Sequence, residues 1–259
     1  MKLEESYLMM LEDIKATSAP YSHAVLSRQI ISLIDLTLLD ETADSEALDS
    51  LIAKANCHQV AAVCVLPQHL PGLESLERQI KRATVINFPH GNQSTKKILT
   101  AIDTLQARSN MDEIDYVFPY KCYLAGDEED ALIQCQNVYD LCKNQKIGFK
   151  VILETGALPS LEVIYQLSRK ILERGCDFLK TSTGKIPQGA TPAAAFAMLK
   201  AIKDSKSNCG LKVSGGIKKP EQAFNYFNLV TQLIAQNPDK SCFRIGASSL
   251  LDALINNIN

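Results

Sequence analysis

The stretch Asp177-Phe178-Leu179-Lys180-Thr181-Ser182-Thr183-Gly184-Lys185 reads as a short apolar strand that ends on a lysine and runs into a polar loop. Successive side chains of a pleated strand alternate faces, so Phe178 and Lys180 share one side while Leu179 takes the other. A lysine closing an apolar strand is partly desolvated, which favours the neutral amine, the form that attacks carbonyls. The plain alternative is a side chain that snorkels past its strand into water. The loop beyond offers hydroxyls, a flexible glycine and Lys185, groups suited to holding a phosphate. What flanks this unit decides between the two readings.

Working outward, the same pattern recurs. Strand-like runs lie at Ile30–Asp35, Val60–Val65, Thr84–Phe88, Glu113–Phe118, Phe149–Glu154, Gly210–Ser214 and Cys242–Gly246. Helical stretches alternate with them over 44–57, 94–109 and 128–143, after Pro159, from Thr191-Pro192, and over 220–235 and 248–257. A leading helix over 4–17, with Leu8, Leu11 and Ile14 on one stripe, is expected to cap one end of the body. Eight strand–helix units predict an α/β chain folded as a (β/α)8 TIM barrel with an extra N-terminal helix, one domain over 1–259. An open doubly wound sheet also alternates strands and helices. No GxGxxG follows the first strand, however, and polar residues gather at the C-terminal ends of the strands, where a barrel carries its active site.

Composition narrows the function classes. The 259 residues are 46% hydrophobic and 22% charged with a net charge of -2. Neither basic runs nor long uncharged apolar spans occur, so no nucleic-acid or membrane partner is expected. The acidic start Met1-Lys2-Leu3-Glu4-Glu5-Ser6 is unlike a signal peptide, and a cytoplasmic protein is expected. Eight cysteines without a CxxC pair, and four histidines without ligand spacing, predict reduced thiols, no metal site and no cofactor. Homo-oligomerisation, a dimer being the simplest form, stays open.

In a barrel, alternation turns Lys212 and Ser214 inward while Leu211 and Val213 face the helices. Strands six and seven are neighbours, so Lys180 and Lys212 should lie close together. Two ammonium groups that close cannot both stay charged cheaply, and one pKa falls. Asp115, mid-strand, is expected as an ion-pair partner or a proton-transfer group. Lys150, nearer the start of its strand, is read as a lower-layer residue paired with Glu154 or Asp115. Asp35, Thr37, Cys64 and Asn87 fall near strand ends and are candidate pocket residues. Gly215 and Gly216 follow strand seven; Gly246, Ser248 and Ser249 follow strand eight and open a helix. With Thr183, Gly184 and Lys185 they form the expected phosphate cradle of glycine amides and a helix N-terminus.

Together these segments resemble the deoxyribose-phosphate aldolase family. The matching stretches are IDLT from Ile34, AVCV from Ala62, NFPHG from Asn87, EIDYVFPY from Glu113, KVILETG from Lys150, FLKTSTGK from Phe178, KVSGG from Lys212 and RIGASS from Arg244. The resemblance implies a metal-independent, class I aldolase that splits 2-deoxyribose 5-phosphate reversibly into acetaldehyde and glyceraldehyde 3-phosphate. Its partners would be small sugar phosphates and aldehydes, in deoxyribonucleoside breakdown. It implies Lys180 as the Schiff-base lysine, Lys212 as the neighbour that lowers its pKa, and Asp115 as a proton relay through water. Some relatives end in a tail whose terminal tyrosine assists proton transfer. Residues 255–259 hold no aromatic, so that step is not carried over.

Three other readings fit parts of the chain. Another Schiff-base barrel aldolase acting on a keto acid needs a carboxylate-binding arginine, for which Arg244 is the one candidate. A metal-free phosphosugar isomerase needs a glutamate base, for which Glu154 is the one candidate. A non-catalytic sugar-phosphate binder has no need of two paired lysines and Asp115.

Overall fold

Each apolar run pairs in parallel with the next, and the intervening helices cover the outside. The computed structural model describes residues 2–16, 22–234 and 237–258. The strands are β1 (Ile34–Leu38), β2 (Ala62–Val65), β3 (Lys81–Ile86), β4 (Glu113–Val117), β5 (Gly148–Ile152), β6 (Phe178–Lys180), β7 (Gly210–Ser214) and β8 (Phe243–Ala247). They hydrogen-bond in chain order, and β8 returns to β1, closing the barrel. The expected TIM barrel is therefore the fold.

The helices are α1 (Leu3–Ala16), α2 (His23–Ile31), α3 (Ser45–His58), α4 (Thr95–Arg108), α5 (Tyr120–Ala125), α6 (Glu128–Asn144), α7 (Leu161–Arg174), α8 (Pro192–Asp204), α9 (Pro220–Leu233) and α10 (Leu250–Asn256). Local chemistry sets many of their starts. The side chains of Asp44, Ser94, Ser160 and Thr191 accept from the backbone N–H three residues on, and Pro192 opens α8. Each such cap is worth about 1 kcal/mol. Facing the helices, Val63, Ile114, Val151, Leu179, Leu211 and Ile245 are buried in one continuous core. Full burial of a branched side chain contributes about 1.5–3 kcal/mol.

Three expectations are corrected. The first strand does not run over Ile30–Asp35: Ser22 caps α2, whose Leu26, Ile30 and Ile31 are buried, and β1 starts only at Ile34. One apolar run feeds both elements, and such a run does not itself mark where the period changes from 3.6 to 2. After β2 the chain makes a 3-10 helix, Pro67–Leu73, with Pro71 inside it, in place of an α-helix. On α1 the face packed on the core is Leu3, Tyr7 and Met10, with Tyr7 against Phe196 (ring centroids 5.5 Å), whereas Leu8 is 59% exposed. That helix rests on α7, α8 and α9 of the outer ring. The side chain of Ile14, and residues Thr17, Ala235 and Asn259, lie outside the described residues.

Register then decides which polar side chains meet. Lys180 pairs with Lys212, Lys212 with Arg244, and Asp115 with Lys150. All point into the lumen by alternation. Gly246 belongs to that geometry: a Cβ there would stand 3.1 Å from Lys212 Cε and 3.0 Å from Ser214 Cβ. The β2–β3 side of the lumen is apolar, built from Ala62, Cys64, Leu66, Ala83 and Val85.

Candidate active site

Seven ionisable groups fill the lower and middle lumen: Asp35, Glu113 and Asp115 against Lys150, Lys180, Lys212 and Arg244, all buried. At the bottom, Arg244 donates to Asp35 Oδ1 at 2.7 Å and to Glu113 Oε1 at 3.1 Å, with its guanidinium over the Phe178 ring. Above it, Lys150 Nζ lies 2.6 Å from Glu113 Oε2 and 3.0 Å from Asp115 Oδ1. Lys212 Nζ donates to Asp115 Oδ2 at 2.6 Å and is in ion-pair contact with Asp35 Oδ2 at the same distance. Lys180 Nζ reaches Asp115 Oδ2 alone, at 2.7 Å.

In this set of contacts four cations share three carboxylates, so one buried cation is less well balanced than the others. An unbalanced buried charge costs several kcal/mol, and the group gives up its proton instead. The least supported cation is Lys180, because the other three each contact at least two carboxylates. Burial lowers its pKa and neighbouring Lys212 lowers it further, against the pull of Asp115. Burial also works against the ammonium of Lys212, but Asp115 and Asp35 more than offset it and raise its pKa. Burial would raise the Asp115 pKa, yet Lys150, Lys180 and Lys212 hold it well below the usual carboxylate range. The arrangement is two lysine amines on one carboxylate oxygen, Lys180 being the one that gives up its proton more readily.

Lys180 opens on a cavity of about 330 Å³ at the C-terminal mouth. Among the expected cradle residues, Thr183, Gly184, Lys185, Gly215, Gly216, Gly246 and Ser248 line it, and so does Thr37. Ser249 does not; it precedes α10 as the residue flanking its first turn. Asp35, Cys64 and Lys150 sit in the lumen beneath the cavity rather than on its wall. The Cys64 thiol lies 3.9 Å from Asp115 Oδ2, and burial, with that carboxylate, pushes its pKa up to about 11. Lys150 pairs with Asp115 as expected and with Glu113, not with Glu154. Asn87 does not line this cavity; it lies on the neighbouring cleft, donating to Val117 O and accepting from Gln93 N. A larger cleft of about 1030 Å³ lies beside the first, over β1, β2 and β3, and shares Leu39, Asp40 and Lys185 with it. Lys185 Nζ donates to Leu39 O at 2.9 Å along this shared wall.

A family model of the DeoC/LacD family aldolases matches residues 29–253. The chain belongs to that family. Solved structures with the same fold include a candidate deoxyribose-phosphate aldolase from Coccidioides immitis (25% identity, 99% of this chain and 98% of that one, TM-score 0.79). Another, from Toxoplasma gondii, gives 18% identity over 91% and 94% of the two chains and a TM-score of 0.82. A tetrameric deoxyribose phosphate aldolase from Aeropyrum pernix gives 23% identity, 92% and 98% coverage, and a TM-score of 0.74. As a DeoC/LacD aldolase the protein is a carbon–carbon lyase.

Reading this aldolase by sequence alone misses two features. Lys218 lines the same cavity; the signal was a cation two residues beyond Gly216 on the loop leaving β7. The lower-lumen set of Glu113 and Arg244 was also missed. Its signal was parity, since Glu113 is two residues from Asp115 and Arg244 two from Gly246.

Proposed function

We propose that this DeoC/LacD aldolase reversibly cleaves 2-deoxy-D-ribose 5-phosphate to D-glyceraldehyde 3-phosphate and acetaldehyde through a Schiff base on Lys180. The observation that carries the reading is the Lys180 amine itself. It is buried, has one carboxylate partner where its neighbours have more, and faces a cavity rimmed by glycine turns and by Lys185 and Lys218.

Lys180 attacks the aldehyde carbon of the open-chain sugar, and the resulting carbinolamine loses its hydroxyl as water, taking a proton from the Lys212 ammonium. The iminium draws electrons from the C2–C3 bond. Asp115, acting through water, removes the C3 hydroxyl proton as that bond breaks. Glyceraldehyde 3-phosphate leaves with the new carbonyl, and an enamine stays on Lys180. The proton taken up through Asp115 passes by way of water to C2, and hydrolysis of the iminium, which returns a proton to Lys212, releases acetaldehyde and restores the amine. Covalent catalysis divides one difficult cleavage into steps with an electron sink. Thr183, Gly184, Lys185, Gly215, Gly216, Gly246 and Ser248 hold the 5-phosphate, far enough from C1 to orient the chain of the sugar.

Two rival assignments lose their key residue. The keto-acid reading needs Arg244 free, and it is committed to Asp35 and Glu113. The isomerase reading needs Glu154 as a base, and its carboxylate is turned to Thr183. Among the described residues no helix is long and apolar enough to cross a membrane, and the eight free thiols suit a reducing compartment. We place the enzyme in the cytoplasm, in deoxyribonucleoside breakdown, as a homo-oligomer.

Borohydride trapping with acetaldehyde, followed by peptide mass mapping, tests the assignment. The added mass should fall on the peptide carrying Lys180. Label on Lys212 or Lys185 would overturn it.

A further inference from the structure

Of the four carboxylates buried among the described residues, Asp35, Glu113 and Asp115 each have cations in contact; Glu154 has no ion pair. It is fully buried and sits just beyond β5 with φ 54°, ψ 56°, a left-handed conformation that side chains other than glycine rarely adopt. A carboxyl group kept in such a place, where burial pushes its pKa up, needs a partner for each oxygen.

The hydrogen bonds supply both. Glu154 Oε1 accepts from Thr183 N at 3.2 Å, and Oε2 accepts from Thr183 Oγ1 at 2.5 Å. The Thr183 hydroxyl in turn accepts from Lys185 N at 3.0 Å. Thr183 therefore presents two donors to Glu154, its N–H and its O–H. A carboxylate offers an acceptor to each; glutamine offers one acceptor, so the hydroxyl would have to turn its proton away and the charge-assisted bond would be lost. The contact also comes from a neighbouring strand that is itself fixed, since Leu153 N donates to Lys180 O and Thr155 N to Thr181 O. The turn is closed on its other side by Gly189, where a Cβ would lie 2.3 Å from Gly215 O. The loops after β5, β6 and β7 thus hold one another at the cavity wall.

We infer that Glu154 is a positioning residue for the anion site: it clamps both donors of Thr183 and so fixes the Thr183-Gly184-Lys185 turn in the shape that receives a phosphoryl group. It touches neither the reacting carbons nor the phosphate. The inference rests on the reading of this cavity as the phosphate site, and it ties the loop after β6 to the end of β5. Preorganised donors bind an anion without the cost of ordering them at the moment of binding.

The test measures inorganic phosphate affinity by titration calorimetry, together with steady-state kinetics on deoxyribose 5-phosphate and on unphosphorylated deoxyribose. Glu154→Gln should weaken phosphate about tenfold, the loss expected for a charge-assisted hydrogen bond. It should raise KM for the phosphorylated sugar more than it lowers kcat, and leave turnover of deoxyribose unchanged. Glu154→Asp, which keeps both acceptors on a shorter arm, should give a smaller loss in the same direction on the phosphorylated sugar, and it reads the same contact should Glu154→Gln fail to fold. Unchanged phosphate affinity in Glu154→Gln, or in Glu154→Asp where Glu154→Gln does not fold, or equal losses on both sugars, overturns the inference. A wild-type enzyme that binds phosphate in a Glu154-dependent way yet does not cleave deoxyribose 5-phosphate sinks the substrate reading and leaves the positioning role standing.

Discussion

Replacing Lys212 by methionine removes a charge that lowers the Lys180 pKa while filling the same space. Both amines lie against one oxygen, Asp115 Oδ2, at 2.7 Å and 2.6 Å, so their nitrogens are no more than about 5 Å apart. At an effective dielectric of about 20, two unit charges at that distance repel by about 3 kcal/mol. Removing the repulsion shifts the balance between neutral and charged amine by about a hundredfold towards the charged form. The charge census agrees in direction: without Lys212 three cations face three carboxylates, and Lys180 is better balanced. In the proposed mechanism Lys180 attacks as the neutral amine, so activity rises with pH through its pKa. In the variant the acid limb of the kcat/KM profile should move to higher pH, with a loss of about a hundredfold or more at neutrality and partial recovery in alkali. The assay is cleavage of deoxyribose 5-phosphate across pH, with the rate of borohydride inactivation as a direct measure of iminium formation. An acid limb that stays where it is in wild type would refute the electrostatic argument, even if the overall rate fell.

Three further outcomes are expected. Ser248→Asp sets a negative charge on the wall of the cavity and should cripple turnover of the phosphorylated sugar while sparing slow turnover of deoxyribose; equal fractional losses would mean that this loop is structural. Arg244→Met leaves Asp35 and Glu113 without their 2.7 Å and 3.1 Å partner, and calorimetry should show a loss of about 3–5 kcal/mol, the usual cost of breaking a buried pair from one side. Asp35 and Asp115 have depressed folded pKa values, because burial is outweighed by Lys212, Arg244, Lys150 and Lys180. Their stabilisation is therefore complete above the ordinary carboxylate pKa of about 4 and is lost as pH falls below it. Lys212 is shifted the other way, so its contribution is complete below the ordinary lysine pKa and fades as pH rises through the folded value. Lys180, with its pKa lowered, opposes that alkaline trend and gains stability as pH rises towards the ordinary lysine value. Denaturant midpoints should accordingly drop below about pH 4; a flat acid limb would contradict the network.

The strand–helix rhythm, the barrel it closes into, and the inward direction of Lys180, Lys212 and Asp115 were legible in the chain. They depend on local rules: a two-residue alternation, caps such as Thr191-Pro192, and glycines at the turns after β7. The start of β1 was not legible, because Ile30 to Ile34 is one apolar run and only packing divides it between α2 and the barrel. Nor was the packed face of α1, which the ring of Phe196 selects. The charge census across the lumen needed register. Asp35 and Arg244 are 209 residues apart in the chain, and which of Lys180 and Lys212 has the lowered pKa turns on which of them also reaches Asp35. Sequence sets which side of a strand a residue faces; the level it occupies in the barrel, and so its partners, is set by the stagger of all eight strands together.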